Sequence, residues 1–304
     1  MSQVEKIIEV KNLVKDYGKF RAVDDVSFDV FQGDVFGFLG PNGAGKSTTI
    51  RTMLTLISAT SGEIKIFGKE LNANRKEILA EIGCIVEKPD FYKYLSAQKN
   101  LEIFARVSGK NVSKSKIAEV IEFVGLKGRE NDKVNGFSHG MRQRLGIAQT
   151  LIHDPKLIIL DEPTTGLDPQ GILDIRNLIL QLKNERNKTV LLSSHILSEI
   201  ELIANRMVII SKGKTLVQGN VRELLDEKVL LVSFSVNDQN KAIVILQKEF
   251  PNAIQSTSND QILLHLSKEE IPACNKLLTD SGISVYSIES KRKLEDYFLK
   301  LINS

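Results

Sequence analysis

Apolar and polar residues alternate along the first forty positions, in IIEVKNLVKDYG and again in FRAVDDVSFDVFQGD, with turn-forming residues between the runs. A period of two belongs to strands with one buried face, so this segment predicts an antiparallel β subdomain. Val35–Leu39 is instead an unbroken apolar run, which leads through a glycine-rich turn into a helix starting near Lys46. Residues 96–127 carry helical periodicity, with Ser96 as N-cap and Leu101, Phe104, Ala105 and Ser108 on one face. From 141 to 210, helix-length and strand-length segments alternate: MRQRLGIAQTL, LIIL, ILDIRNLILQLK, TVLLSS, ILSEIELIA and MVIIS. Such repeated units imply a largely parallel sheet covered by helices.

The character shifts after a charged, helix-like segment at 219–228. Residues 229–290 read β-α-β-β-α-β, which predicts a small ferredoxin-like domain, and LEDYFLKLI then closes the chain as an amphipathic helix. The expectation is an α/β protein with its first domain over 1–228, including a helical subdomain at about 90–150, and a second α+β domain over 229–304.

Composition changes this picture little. The 304 residues suit two domains, and 42% apolar with 26% charged residues is ordinary for a globular chain. With 41 basic against 38 acidic side chains, no polyanion footprint is present and no nucleic-acid partner is expected. No run approaches the roughly 20 apolar residues of a membrane span. The N-terminus carries charges where a signal peptide needs an apolar core, so the expected location is cytoplasmic, at a membrane only through a partner. Cys84 and Cys274 lie in no CxxC pair, and both are expected to be buried, reduced thiols.

The chemistry begins at Gly40-Pro41-Asn42-Gly43-Ala44-Gly45-Lys46-Ser47, followed by Thr48. Glycines at this spacing let backbone N–H groups wrap a phosphate chain at the positive end of a helix. Lys46 would reach the β- and γ-phosphates, and Ser47 would offer a hydroxyl to Mg²⁺. Downstream, Leu157–Leu160 runs into Asp161, placed to hold the metal through water, and Glu162, placed to polarise an attacking water as general base.

Together with these motifs, Gly136–Leu145 (GFSHGMRQRL) resembles the signature loop of ABC ATPases. LIILDEPTTGLDP resembles that family's second nucleotide motif and D-loop, and Ser193-Ser194-His195 its switch histidine. Order and spacing agree across residues 8–225. The resemblance implies a P-loop ATPase of ABC type that binds ATP and Mg²⁺. A second copy, or a homologous ATPase subunit, would dimerise with it, and separate transmembrane subunits would receive its motion. Ser138 and Gly140 would bind the γ-phosphate held by the other copy, His195 would contact the γ-phosphate near Glu162, and Asp168 would lie at the dimer seam. Tyr17, in DYG, matches the aromatic residue that stacks on adenine.

Two positions depart from the family pattern. Glu87 stands where a glutamine usually binds Mg²⁺, leaving either an altered metal shell or a carboxylate one water further away. His139 and Met141 stand where glycine and glutamine are more common. Glu87 followed by Pro-x-x-Tyr is similar to the branch serving peptide-antibiotic export and self-protection, including bacitracin and lantibiotic resistance. The aromatic segment 89–95 reads either as a docking surface for a membrane subunit or as packing under the helical subdomain. A soluble relative acting on ribosomes or DNA would carry fused cassettes or long coiled-coil insertions, which this chain lacks. A nucleotide-binding regulator without hydrolysis is opposed by Lys46, Asp161, Glu162 and His195.

Overall fold

The alternating N-terminal runs form a long hairpin, β1 (Lys6–Tyr17) and β2 (Phe20–Phe31), in the computed structural model, which describes residues 5–225, 230–251, 253–258 and 261–291. The apolar positions of both strands, among them Ile8, Val10, Leu13, Val26, Phe28 and Val30, are buried, as a half-buried sheet requires. Next come β3 (Val35–Leu39), α1 (Lys46–Met53), β4 (Ser61–Ile66), β5 (Lys69–Glu70), α2 (Arg75–Leu79) and β6 (Ile82–Ile85). β4 and β5 complete a four-stranded antiparallel sheet of order β2-β1-β4-β5.

Three helices then pack together: α3 (Ala97–Val107), α4 (Lys114–Phe123) and α5 (His139–Leu151). Leu101, Ala105, Ile117, Val120, Ile121 and Leu145 fill their interior. Ser96 caps α3 by accepting from Lys99 N at 3.2 Å. Ser108, expected on the apolar face, is exposed, because α3 ends there and its hydroxyl turns back to the Ala105 carbonyl.

Alternation of strand and helix resumes with β7 (Leu157–Leu160), α6 (Pro169–Asn184), β8 (Thr189–Ser194), α7 (Leu197–Ile203), β9 (Arg206–Ser211), β10 (Lys214–Asn220) and α8 (Val221–Leu225). The large sheet has the order β10-β9-β3-β8-β7-β6, parallel except for β10. β3, β7 and β8 are buried at every residue, being covered on both faces. β10 is an addition to the sequence reading, which has a helix-like segment starting at 219. It pairs back on β9 through Lys212-Gly213, both at positive φ, the geometry of a two-residue hairpin turn.

The chain divides into two compact units, Met1–Val221 and Arg222–Ser304. The second unit contains β11 (Leu230–Val236), α9 (Gln239–Glu249), β12 (Ile254–Ser258), β13 (Gln261–Leu266), α10 (Glu270–Asp280) and β14 (Val285–Lys291). Its sheet is antiparallel, ordered β12-β13-β11-β14, and its core includes Val232, Phe234, Ile262, Leu264, Leu246, Cys274 and Leu278. The predicted LEDYFLKLI helix lies outside the described residues. Cys274 is buried as expected, but Cys84 is exposed: β6 is the edge strand of its sheet.

Candidate active site

Loops leaving the carboxyl ends of neighbouring parallel strands share one rim, the usual ligand position in open α/β sheets. The order β3-β8-β7-β6 therefore brings together Gly40–Ser47, Ser194-His195, Asp161-Glu162 and Glu87. The pairs Leu39↔Ser194, Leu160↔Leu192 and Ile85↔Leu160 keep these strand ends nearly level.

Glycine builds the loop after β3. A Cβ on Gly40 would stand 2.4 Å from the Ile210 carbonyl oxygen, and one on Gly45, at φ 105°, would stand 2.7 Å from that of Ala22. Asn42 and Gly43 form the exposed tip, and Ala44 N donates to Pro41 O at 3.1 Å. α1 starts at Lys46 with Gly45 as an N-cap that offers no side chain, so its first turn, with Lys46, Ser47 and Thr48, presents a helix N-terminus suited to an anion. The Lys46 side chain is only 5% exposed. Its Nζ donates to the carbonyls of Gly40 (2.7 Å) and Pro41 (3.2 Å) and lies 3.2 Å from Glu162 Oε1. A carboxylate thus serves as counter-anion to the ammonium above the loop.

Glu162 has φ 49°, a left-handed conformation that costs roughly 1–2 kcal/mol for a residue with a Cβ. Its backbone N–H donates to Ser193 Oγ at 2.8 Å, and the Ser193 hydroxyl donates to Asp161 Oδ1 at 2.6 Å. Glu162 Oε2 lies 2.8 Å from His195 Nδ1 and accepts from Thr165 Oγ1 at 3.1 Å. Burial works to raise the Glu162 carboxyl, but the His195 hydrogen bond and the Lys46 charge together hold it below the usual carboxylate range.

The other candidates occupy separate positions. Glu87, at φ 69°, pairs with Arg51 of α1, its carboxylate 68% exposed. Ser138 caps α5 by accepting from Met141 N at 3.1 Å, and a Cβ on Gly140 would meet the Ser138 hydroxyl oxygen at 4.0 Å. His139 Nδ1 lies 2.9 Å from the Gly166 carbonyl, joining this helix tip to the loop between Glu162 and Asp168. Asp168 caps α6, accepting from Gly171 N at 2.9 Å. Tyr17 ends β1 with its ring partly exposed and Lys15 Nζ 5.0 Å from its centroid. Lys46, Asp161, Glu162 and His195 thus meet in one cluster, whose ties through Ser193 and Thr165 the motif reading missed. Ser193 left a trace: it is the first polar residue after the apolar run Val190–Leu192, directly before Ser194-His195.

The family model described as "ABC transporter" matches residues 23–165, from before the Gly40–Ser47 loop to beyond Glu162. A bacitracin transport ATP-binding protein of Bacillus licheniformis is 47% identical over 97% of this chain and 97% of its own length. A lantibiotic transport ATP-binding protein of Streptococcus pyogenes is 41% identical over 74% of this chain and 98% of its own. Among solved structures, the ADP conformation of an ATP-binding cassette of an ABC transporter gives a TM-score of 0.66 at 26% identity, covering 73% of this chain and 96% of that one. The chain belongs to the ABC transporter family. Within it, the chain is an ATP-binding subunit and an ATP hydrolase, with the α/β P-loop fold of these cassettes and a small C-terminal α+β unit.

Proposed function

We propose that this subunit drives export of a peptide antibiotic through separate transmembrane subunits, closing with a second copy or a homologous ATPase subunit around two ATP molecules. The Lys46–Glu162–His195 cluster carries this reading. Lys46 exchanges its carboxylate partner for the nucleotide's phosphates. Glu162, ionised at neutral pH and still oriented by His195, then accepts the proton of the attacking water. A base so placed contributes roughly 10²–10⁴-fold to rate. Ser138 and the Gly140 backbone, at the N-terminal tip of α5, face the nucleotide of the other copy, with Asp168 at the seam and Tyr17 against adenine.

The donors fit Mg²⁺: the Ser47 hydroxyl and the Asp161 carboxylate, one oxygen of which Ser193 holds, are hard oxygen ligands of the kind that ion takes beside phosphate oxygens and water. When bound, the ion neutralises charge developing on the phosphates. Glu87 is paired with Arg51, so Ser47 and Asp161 would be the protein groups that hold the ion.

Residues 1–228 act as the motor, with 229–304 as a ferredoxin-like accessory domain. The aromatic segment at 89–95 divides its roles. Phe91 packs edge-on against Phe104, while Tyr92 and Tyr94 stay exposed on a loop that Asn100 fixes through both polar groups of the Tyr92 backbone. These two tyrosines form the docking surface for a membrane subunit. Among the described residues no helix is long and apolar enough to cross a membrane, and the reading places the chain at the cytoplasmic face, held there by its partners. Export of a peptide antibiotic rests on the relatives named for bacitracin and lantibiotic transport.

The test pairs ATP hydrolysis with oligomeric state. Wild type is expected to turn over ATP with Mg²⁺, and Glu162→Gln to trap ATP in a stable dimer. Wild type that neither hydrolyses nor dimerises, even with co-expressed membrane subunits, sinks the motor reading. For cargo, co-expression with those subunits in a bacitracin-sensitive host should raise the inhibitory concentration, and Lys46→Ala should abolish the gain.

A further inference from the structure

Glu199, in the first turn of α7, joins two loops far apart in sequence. Its Oε2 accepts from Thr164 Oγ1 at 2.8 Å and from Ser194 Oγ at 3.0 Å. Thr164 lies two residues beyond Glu162 on the loop after β7, and Ser194 directly precedes His195. Both hydroxyl-bearing residues are buried, Thr164 at 8% exposure and Ser194 at 1%, so water is a poor substitute for the carboxylate as their acceptor. Ser194 Oγ also accepts from Ile196 N at 3.0 Å, which fixes the start of the α7 turn on the same hydroxyl. Ser193 forms a parallel tie, from Asp161 to the Glu162 backbone. Two bridges therefore link the β7 and β8 loops, and the Glu162–His195 contact at 2.8 Å is made across the same gap.

We infer that Glu199 is a positioning residue for ATP hydrolysis, holding the Glu162 loop and the His195 loop in register without touching the nucleotide. The inference rests on the catalytic reading of Glu162 and His195. Glu162 sits in a left-handed turn that persists only while its surroundings hold it. Without the Glu199 carboxylate, the buried Thr164 hydroxyl loses its acceptor, Ser194 keeps only the Ile196 carbonyl at 3.4 Å, and residues 163–168 are released on one side. A misplacement of about 1 Å at a reacting centre can cost on the order of 10²-fold in rate.

The experiment compares Glu199→Ala, Glu199→Gln, Thr164→Val, the Thr164→Val/Glu199→Ala double variant and Glu162→Gln in the full-length chain. It reads kcat and KM for ATP, affinity for a fluorescent ATP analogue, and amide hydrogen exchange over 163–168 without nucleotide. Glu199→Ala is expected to lower kcat roughly 10- to 100-fold, with KM and analogue affinity within about twofold of wild type. Exchange over 163–168 should quicken. Glu199→Gln keeps an oxygen that accepts both hydroxyls and should restore most of kcat and the slow exchange. Thr164→Val should fall between, and the double variant should be no slower than Glu199→Ala alone. Unchanged kcat and exchange in Glu199→Ala overturn the inference, as does a Glu199→Gln variant no better than alanine. A Glu162→Gln protein that keeps full turnover sinks instead the catalytic reading beneath it.

Discussion

β6 and β7 are neighbouring parallel strands, and each is followed by a glutamate in left-handed backbone, Glu87 at φ 69° and Glu162 at φ 49°. The turns are alike; the surroundings are not. β7 lies inside the sheet with all four residues buried, and its glutamate meets Lys46, His195 and Thr165. β6 is the sheet edge, and its glutamate is largely exposed and meets Arg51. The backbone brings both carboxylates to the rim, but the neighbours decide what each can do. Around Glu162, fixed and partly desolvated charges shift a pKa, a mark of reactive sites. Around Glu87 the partner is a half-buried guanidinium and the carboxylate itself is exposed, in a pair of the kind worth about 0–1 kcal/mol.

The largest expected break in that comparison is catalytic. Glu162→Gln should lower kcat by about 10²–10⁴-fold, whereas Glu87→Gln should change it less than about tenfold, the loss being that of a surface pair. Steady-state phosphate release measures both, and comparable losses would merge the two turns into one functional class. The second contrast is in thiol reactivity. Cys84, open on the β6 edge, should alkylate in the folded protein, although partial desolvation raises its thiol and slows the reaction. Cys274, pushed up to about 12 by burial, should label only after unfolding, which mass spectrometry before and after denaturant reads directly. The smallest effect concerns acid stability. Because the folded Glu162 carboxyl lies below its ordinary 4.5, its stabilisation is complete above that value and is lost as pH falls through the lowered one. Glu162→Gln should therefore lose less stability on acidification than wild type, a difference measurable by thermal melts across that range.

Much of this was legible in the sequence because the signals are local. Gly40–Ser47 specifies its own turn, LIIL followed by two carboxylates announces a buried strand ending at a rim, and Ser96 reads as a cap three residues ahead of the amide it accepts from. What escaped depends on register between segments. Ser193 meets Asp161, Thr164 meets Glu199 and Arg51 meets Glu87 across separations that no periodicity encodes. The hairpin strand β10 was hidden because KTLVQGN alternates only loosely, its pairing being set by the Lys212-Gly213 turn. Cys84 looked like a core thiol because a short apolar strand says nothing of whether a neighbour covers it.

The left-handed glutamates also bear on selection. A laboratory population chosen for heat tolerance alone should drift toward glycine or asparagine at position 87, where relief of the backbone outweighs a weak surface pair. At 162 the same pressure acts, but each such change removes the carboxylate that Lys46 and His195 surround. Lineages screened only by melting temperature would then accumulate proteins that are easier to purify and unable to turn over, so robustness and output must be scored together at this position.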